Sequence, residues 1–264
     1  MKDPRDLLVA ALSRLPLGVA DTLAWLLAWT WWWILPIRAR EASGQLVAAI
    51  PGSHPRRVLT RMMHDLALGY IEVLQLDRVD VRIEGAEAVP AGSLILAGHG
   101  GSWDVALLRW ADVIPLAIFL RTPTDPWTRD WLARHRAAHD VMALETGAKM
   151  EDAYAALDAG RSVYFIQDQR HHRGIPSPFF GRPARTSAGI AAAHIRTGRP
   201  IYGAWQWREG VGRHGMRIVP LAVPPLTGDR ERDTQAITDL TNRFYEDRIR
   251  EHPHGWLWLH RRWK

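Results

Sequence analysis

The chain has 264 residues, 47% apolar and 23% charged, with 14 Trp, no Cys and a formal charge of +6. This length and composition exclude a disordered or collagen-like chain and suffice for a core without staples. The lack of Cys excludes disulfide frameworks, zinc ribbons and cysteine nucleophiles.

Residues 1–76 read as helical. Apolar periodicity predicts helices over 5–14, 19–35, 37–50 and 55–76, separated by Pro16, Pro36 and the turn 51–55. Five Trp (25, 29, 31, 32 and 33) fall in the uncharged run 22–37. A helix over those residues reaches about 24 Å, short of the roughly 30 Å hydrocarbon layer. A helix spanning about 19–37 is therefore expected to lie in or dip into one leaflet, with a Trp-rich core helix as the alternative. Bulky Trp31, Trp32 and Trp33 stand where a cleaved signal peptide would carry small residues.

From residue 79 the pattern changes. Short apolar runs at 79–85, 93–98, 114–120, 141–144, 162–167, 200–207 and 216–223 predict strands. Helical stretches at 103–110, 126–139, 149–159, 187–197 and 231–251 lie between them. The alternation predicts an α/β fold, with a mostly parallel central sheet flanked by helices. Between Arg161 and Arg217 there are ten Arg against Asp168 and Glu209, a local excess of +8. Such a field suits a phosphate-bearing substrate, an anionic membrane surface or an acidic protein partner. Nucleic acid is not expected as a partner, because no recognition motif is present and the basic residues fall on strands and loops.

The segment 94–104 reads as a buried strand that ends in a Gly-rich turn and opens a helix, the place where reactive groups of α/β folds sit. His99 lies in the turn and Asp104 five residues on. With His99 folded back over the helix start, the Asp104 carboxylate is expected to hold one ring nitrogen while the other accepts a proton. That pattern suggests a base acting directly on a bound hydroxyl or amine. His99-Gly100-Gly101 also suits an esterase oxyanion loop, so hydrolysis is a rival reading. Ser102, however, lacks the flanking glycines of a nucleophile elbow. A non-catalytic basic membrane-binding module is a third reading. No metal-ligand spacing occurs, and no metal is expected.

His99-Gly100-Gly101-Ser102-Trp103-Asp104 resembles the H-x4-D/E motif of the bacterial lipid A biosynthesis acyltransferases of the lauroyl/myristoyl type, within the wider lysophospholipid and glycerolipid acyltransferases. The resemblance continues in order. Thr124-Asp125-Pro126 with Arg134 and Arg136 is similar to an N-P…R block, Arg136 being the better match. Asp168-Gln169 resembles a D-Q motif, and the segment 178–186, with Phe180, Gly181 and Arg182, an F-F-G-x-P-A-x-T segment. Residues 256–264 are similar to a W-x-W-x-H-x-R-W-K ending. Gly203 departs from a common Pro, and Arg170-His171-His172-Arg173 is more basic than the family pattern, which bears on acceptor choice.

The resemblance implies a 1–76 helical region with a membrane-associating helix and a 77–264 acyltransferase domain. It implies transfer of a fatty acyl chain from an acyl carrier protein or CoA thioester, with no cofactor beyond that co-substrate, to a hydroxyl of a membrane lipid such as a lipid A precursor. His99 and Asp104 would be catalytic. Gly101, Ser102, Trp103, Arg134, Arg136, Asp168, Gln169, Arg170, Phe180, Gly181 and Arg182 would contact substrate, with backbone N–H groups of Gly100 or Gly101, or Arg136, holding the oxyanion. The implied location is the cytoplasmic face of a bacterial inner membrane.

Overall fold

The computed structural model describes residues 3–145 and 147–264. Four helices come first: α1 (Pro4–Leu12), α2 (Leu17–Trp33), α3 (Ala39–Ala49) and α4 (Pro55–Val73). Pro4 and Pro55 occupy first-turn positions, where the missing N–H costs nothing, and Pro16 precedes α2. Along α2, Ala20, Ala24 and Ala28 are buried at every fourth residue, a small-residue stripe that lets the helix pack closely on α4. Its other faces leave Leu26, Leu27, Trp29 and Trp33 exposed. Among the described residues no single helix is long and apolar enough to cross a membrane. Only α1 and α2 together meet that length and composition, and a 113° bend separates them.

The rest of the chain alternates as the sequence pattern predicts. It runs β1 (Asp80–Glu84), β2 (Leu94–Ala97), α5 (Trp103–Ala111), β3 (Leu116–Phe119), α6 (Pro126–Ala137), β4 (Val141–Leu144), α7 (Met150–Asp158) and β5 (Ser162–Ile166). After these come β6 (Ile175–Phe179), β7 (Arg182–Thr186), α8 (Gly189–Thr197), β8 (Ile201–Gly210), β9 (Arg213–Pro220) and α9 (Arg230–Glu251). Among the described residues the main sheet has seven strands in the order β1-β9-β8-β2-β5-β3-β4, and every pairing is parallel except the β8–β9 hairpin. All four residues of β2 are buried, as a central strand covered on both faces requires. Leu94 and Leu96 join a core with α7, α8 and α9, while Ile95 and Ala97 face α5. The first core also contains Leu46 of α3 and Leu59 and Met62 of α4, so the leading helices share a hydrophobic interior with the sheet.

Two sequence-based expectations change here. The segment 178–186 is most of a β6–β7 hairpin, separate from the main sheet. Pro176, Pro178 and Pro183 mask it in the sequence, and they are tolerated because an isolated pair has free edges. Four of the ten arginines of the +8 segment are paired with acids. Arg161 pairs with Asp140, Arg199 with Asp158, Arg208 with Glu72 and Arg217 with Glu84, all acids from outside the segment.

A buried ionic cluster joins α4 to the β8–β9 hairpin. Arg208 Nη2 donates to Glu72 Oε2 at 2.6 Å and to Ser102 Oγ at 3.0 Å. His214 Nε2 lies 3.1 Å from the same Glu72 oxygen, and the Gly212 N–H donates to the other at 2.9 Å. Burial opposes the Glu72 charge, but His214 and Arg208 outweigh it and hold the carboxyl at about 2. Two turns earlier, Asp65 meets Arg208 at 3.2 Å, His64 at 2.9 Å and His254 at 3.0 Å. Removing one partner of such a pair strands the other charge. Glu72→Ala is expected to lower the unfolding free energy by about 3–5 kcal/mol, measured by urea titration. A Glu72→Leu, Arg208→Met double variant is expected to recover most of that loss.

Candidate active site

Parallel register builds the centre of the site. In the β2–β5 pair Ala97 stands opposite Ile166, so the residues two steps beyond each strand end, His99 and Asp168, emerge side by side. The Asp168 carboxylate is fully buried and accepts from the His99 N–H at 2.9 Å and the Trp256 indole N–H at 2.8 Å. Its other oxygen lies 2.9 Å from His99 Nδ1. A carboxylate at Nδ1 fixes the proton there and leaves Nε2 as the acceptor. The His99 side chain is 23% exposed, enough for a substrate to reach it.

Asp104, in the first turn of α5, makes no hydrogen bond to His99. The ring nitrogen expected to be held by Asp104 is held by Asp168 instead, because H-x4-D spacing sends the two side chains out at different angles while the strand register brings Asp168 directly alongside. Asp104 acts on the ring through space. Burial of His99 disfavours its charged form, but Asp168 and then Asp104 outweigh that and raise its pKa above the usual value. Burial also raises the Asp104 carboxyl, against the opposing charges of Arg136 and His99. Asp168 is lowered: its burial is overcome by the His99 charge and by hydrogen bonds from His99 and Trp256.

Beside Asp104 opens an apolar cleft of about 460 Å³, bordered by α1, α4, α5 and α6. Asp104 and Arg136 are its charged wall residues, and Leu107, Leu108, Val73, Leu74 and Leu132 line it. On α6, Trp127, Trp131 and His135 follow at four-residue intervals and stack successively, at 6.4 and 5.0 Å between ring centroids. Burial, followed by the nearby His139 and Arg136 charges, lowers the His135 pKa, which favours a neutral ring on this wall.

A family model described as bacterial lipid A biosynthesis acyltransferase matches residues 71–264. The chain belongs to this family. The phosphatidylinositol mannoside acyltransferase of Mycolicibacterium smegmatis is 28% identical over 197 residues, covering 72% of this chain and 62% of that protein. The chain thus spans less than two thirds of that relative's length. The crystal structure of the 1-acyl-sn-glycerophosphate acyltransferase PlsC from Thermotoga maritima aligns with a TM-score of 0.42 and 15% identity, over 88% of this chain and 97% of that one. In this member of the lipid A biosynthesis acyltransferase family the matched span begins in α4 and includes Glu72, His99, Asp104, Arg136, Asp168 and Trp256, while α1 to α3 precede it.

The remaining expected residues divide. Trp103 packs edge-on against His99 at 5.2 Å, and Arg136 faces the cavity while Arg134 on the same helix is exposed and outside its lining. Gly101 and Ser102 are committed to structure. The Gly101 N–H donates to the Gly255 carbonyl at 2.7 Å, so it is not an idle oxyanion donor, and the buried Ser102 hydroxyl accepts from Arg208. Gly100 is required by close approach: an added Cβ would lie 2.4 Å from Trp205. The Gln169 carbonyl accepts from Arg262 at 3.4 Å, and the Arg170 N–H donates to His260 Nε2 at 2.9 Å. Phe180, Gly181 and Arg182 form the β6–β7 turn. Among the described residues they do not touch His99 or Asp104; Phe180 N–H bonds Glu246 and Arg182 lies over Trp263. Their link to the centre is Phe179, which packs on Trp256.

Sequence reasoning missed the second role of Asp168 and the role of Tyr245. The Tyr245 hydroxyl donates to the Ala97 carbonyl at 2.7 Å and accepts from the Gln167 N–H at 3.1 Å, tying together the ends of β2 and β5. A lone Tyr in a long amphipathic helix carries no signal for this. The His99 imidazole is expected to titrate above the usual value of about 6.5. Since a nearby anion favours the imidazolium, Asp168→Asn is expected to lower that midpoint, read from the ring C–H resonance across pH by NMR.

Proposed function

We propose that the protein transfers a fatty acyl chain from a thioester, carried by acyl carrier protein or CoA, to a hydroxyl of a membrane lipid. The carrying observation is a His99–Asp168 pair with an acceptor nitrogen, whose ring also feels the charge of Asp104, a residue that lines an apolar cavity together with Arg136. The chain would lie in the cavity with its thioester at the Asp104 end. His99 Nε2 takes the proton of the acceptor hydroxyl as its oxygen attacks the thioester carbonyl. The C–S bond then breaks, and the thiolate recovers the proton from the imidazolium. Asp168 orients the ring, and Asp104 adds a second negative charge that favours the imidazolium. Arg136, on the cavity wall, would steady the oxyanion, and loss of such a donor typically costs about 3 kcal/mol in the barrier. The step needs no metal or further cofactor.

The exposed apolar residues of the leading helices support work at a lipid surface. Leu7 and Leu8 of α1 and Leu26, Leu27, Trp29 and Trp33 of α2 are large apolar side chains left exposed. In this reading the helices lie on the cytoplasmic face of a bacterial inner membrane, and the acceptor is a glycolipid of the lipid A precursor or phosphatidylinositol mannoside kind.

The test is to incubate the purified protein with acyl carrier protein and CoA thioesters and a total bacterial lipid extract. One lipid is expected to gain the mass of one acyl group. Free fatty acid as the sole product would indicate a hydrolase, and no acyl release from either thioester would overturn the proposal. His99→Ala is expected to reduce the rate by about 10²–10⁴-fold with lipid binding retained. In the wild-type protein kcat/KM should fall as pH drops through the raised His99 pKa, and in Asp168→Asn the acidic limb should shift to lower pH.

A further inference from the structure

A second histidine, His260, stands near the reactive centre outside the His99–Asp168 pair. The closing segment brings it there. Trp256 donates to Asp168, the Arg170 N–H donates to His260 Nε2 at 2.9 Å, and Arg262 reaches the carbonyls of Gln169 and Arg185. The His260 backbone is fixed as well, since its carbonyl accepts from the Gln45 amide of α3 and from the Arg262 N–H.

These contacts settle where the ring carries its proton. A backbone N–H only donates, so Nε2 presents a lone pair and the proton of the neutral ring sits on Nδ1. Burial, with the charges of Arg262, His99 and Arg38, lowers the His260 pKa against the opposing charge of Asp168, which favours that neutral form. Among the described residues Nδ1 has no hydrogen-bond partner, and it is not sealed from solvent. The ring thus offers one donor of fixed identity, close enough to His99 to feel its charge.

The two faces of the sheet bring different surfaces to this end of the molecule. Val73, Leu107 and Leu108, which line the apolar cleft, belong to the core on the α5 face. Trp256, Trp258 and Leu259 belong to the other core, with residues of α3 and α9. Arg38, at the start of α3, donates through Nη1 to the Leu259 carbonyl at 3.4 Å, and its charge acts on the His260 ring. Its guanidinium meets no carboxylate among the described residues. Arg38 is exposed and held in the left-handed region at φ 58°, a conformation that residues with a side chain rarely adopt. Just before it, Trp33, Ile34, Leu35 and Ile37 are all exposed. An apolar run followed by a free cation suits the boundary of a lipid layer, where a lipid acceptor lies, whereas a thioester donor arrives from water.

We propose that the His260 Nδ1–H and the Arg38 guanidinium hold the polar head of the acceptor lipid while its hydroxyl meets His99. This rests on the acyl-transfer reading above. Nδ1–H donates to an oxygen of the head, and Arg38 favours heads that carry negative charge. Neither residue touches the thioester.

The experiment compares wild type, His260→Gln and Arg38→Gln, after far-UV circular dichroism and melting show the three equally folded. In His260→Gln an amide oxygen can still accept from the Arg170 N–H, but the Nδ1 donor is gone. Transfer from palmitoyl thioesters of acyl carrier protein and CoA to a total bacterial lipid extract in detergent micelles is followed as each substrate is varied. Both variants are expected to raise the apparent KM for the lipid by at least about tenfold, with the KM for the thioester unchanged. An unchanged lipid KM in either variant, or an equal rise for lipid and thioester, would overturn the assignment and leave the acyltransferase reading in place. No transfer by wild type with either thioester would remove that reading, and the assignment with it.

The tautomer is tested without turnover. Long-range proton–nitrogen correlation spectra of nitrogen-labelled protein, with the His260 signals assigned by their loss in a His260 variant, are expected to show a neutral ring with its proton on Nδ1. A proton on Nε2 at neutral pH would overturn the proposal even where transfer is seen.

Discussion

The Asp168 carboxylate is the interaction on which the rest of the molecule turns. A charged group removed from water carries a penalty of several kcal/mol unless hydrogen bonds replace its hydration. Here the replacement comes from two places in the chain, the end of β2 through His99 and the closing segment through Trp256, and meets the carboxylate at the end of β5. Satisfying the carboxylate therefore requires those segments to be in register. The same demand explains the neighbouring crowding, in which Trp205 presses on the glycine turn and Tyr245 bridges the ends of β2 and β5. The bonds that position His99 also tie the fold together at its centre.

Much of this architecture is legible along the sequence. Breakers and periodicity mark the helices and main-sheet strands, because proline boundaries, a continuous apolar strand and amphipathic helices are local properties. The H-x4-D spacing likewise singles out His99. What holds the histidine is not legible locally, since Asp168 lies 69 residues away and meets it only after two parallel strands align. The β6–β7 hairpin is hidden for another reason: its prolines read as breakers unless the strands are known to stand apart from the main sheet. The run of arginines is only partly informative, because charge counted along the chain ignores partners supplied by other elements. Asp140, Asp158, Glu72 and Glu84 neutralise four of them at separate places.

The leading helices serve two surfaces at once. The alanine stripe of α2 and the buried polar side chains of α4 bind them to the sheet, where Asp65 and Glu72 meet Arg208 and where Arg208 reaches Ser102 at the start of α5. Their outward faces stay apolar. The leading helices are thus joined through a buried ionic cluster to the start of the helix that carries Asp104.

The hydrogen bond from Gly101 to Gly255, beside the Gly100–Trp256 bridge, has a consequence for biogenesis. Chains emerge from the ribosome in order, and domains gather structure as they emerge. When every strand of the main sheet has been made, the residues that clamp the glycine turn and donate the third bond to Asp168 are still unsynthesised. A nascent chain can assemble the sheet and settle its leading helices against it while the histidine is only partly held. Completion of the turn that carries His99 is thereby deferred until translation has passed residue 256.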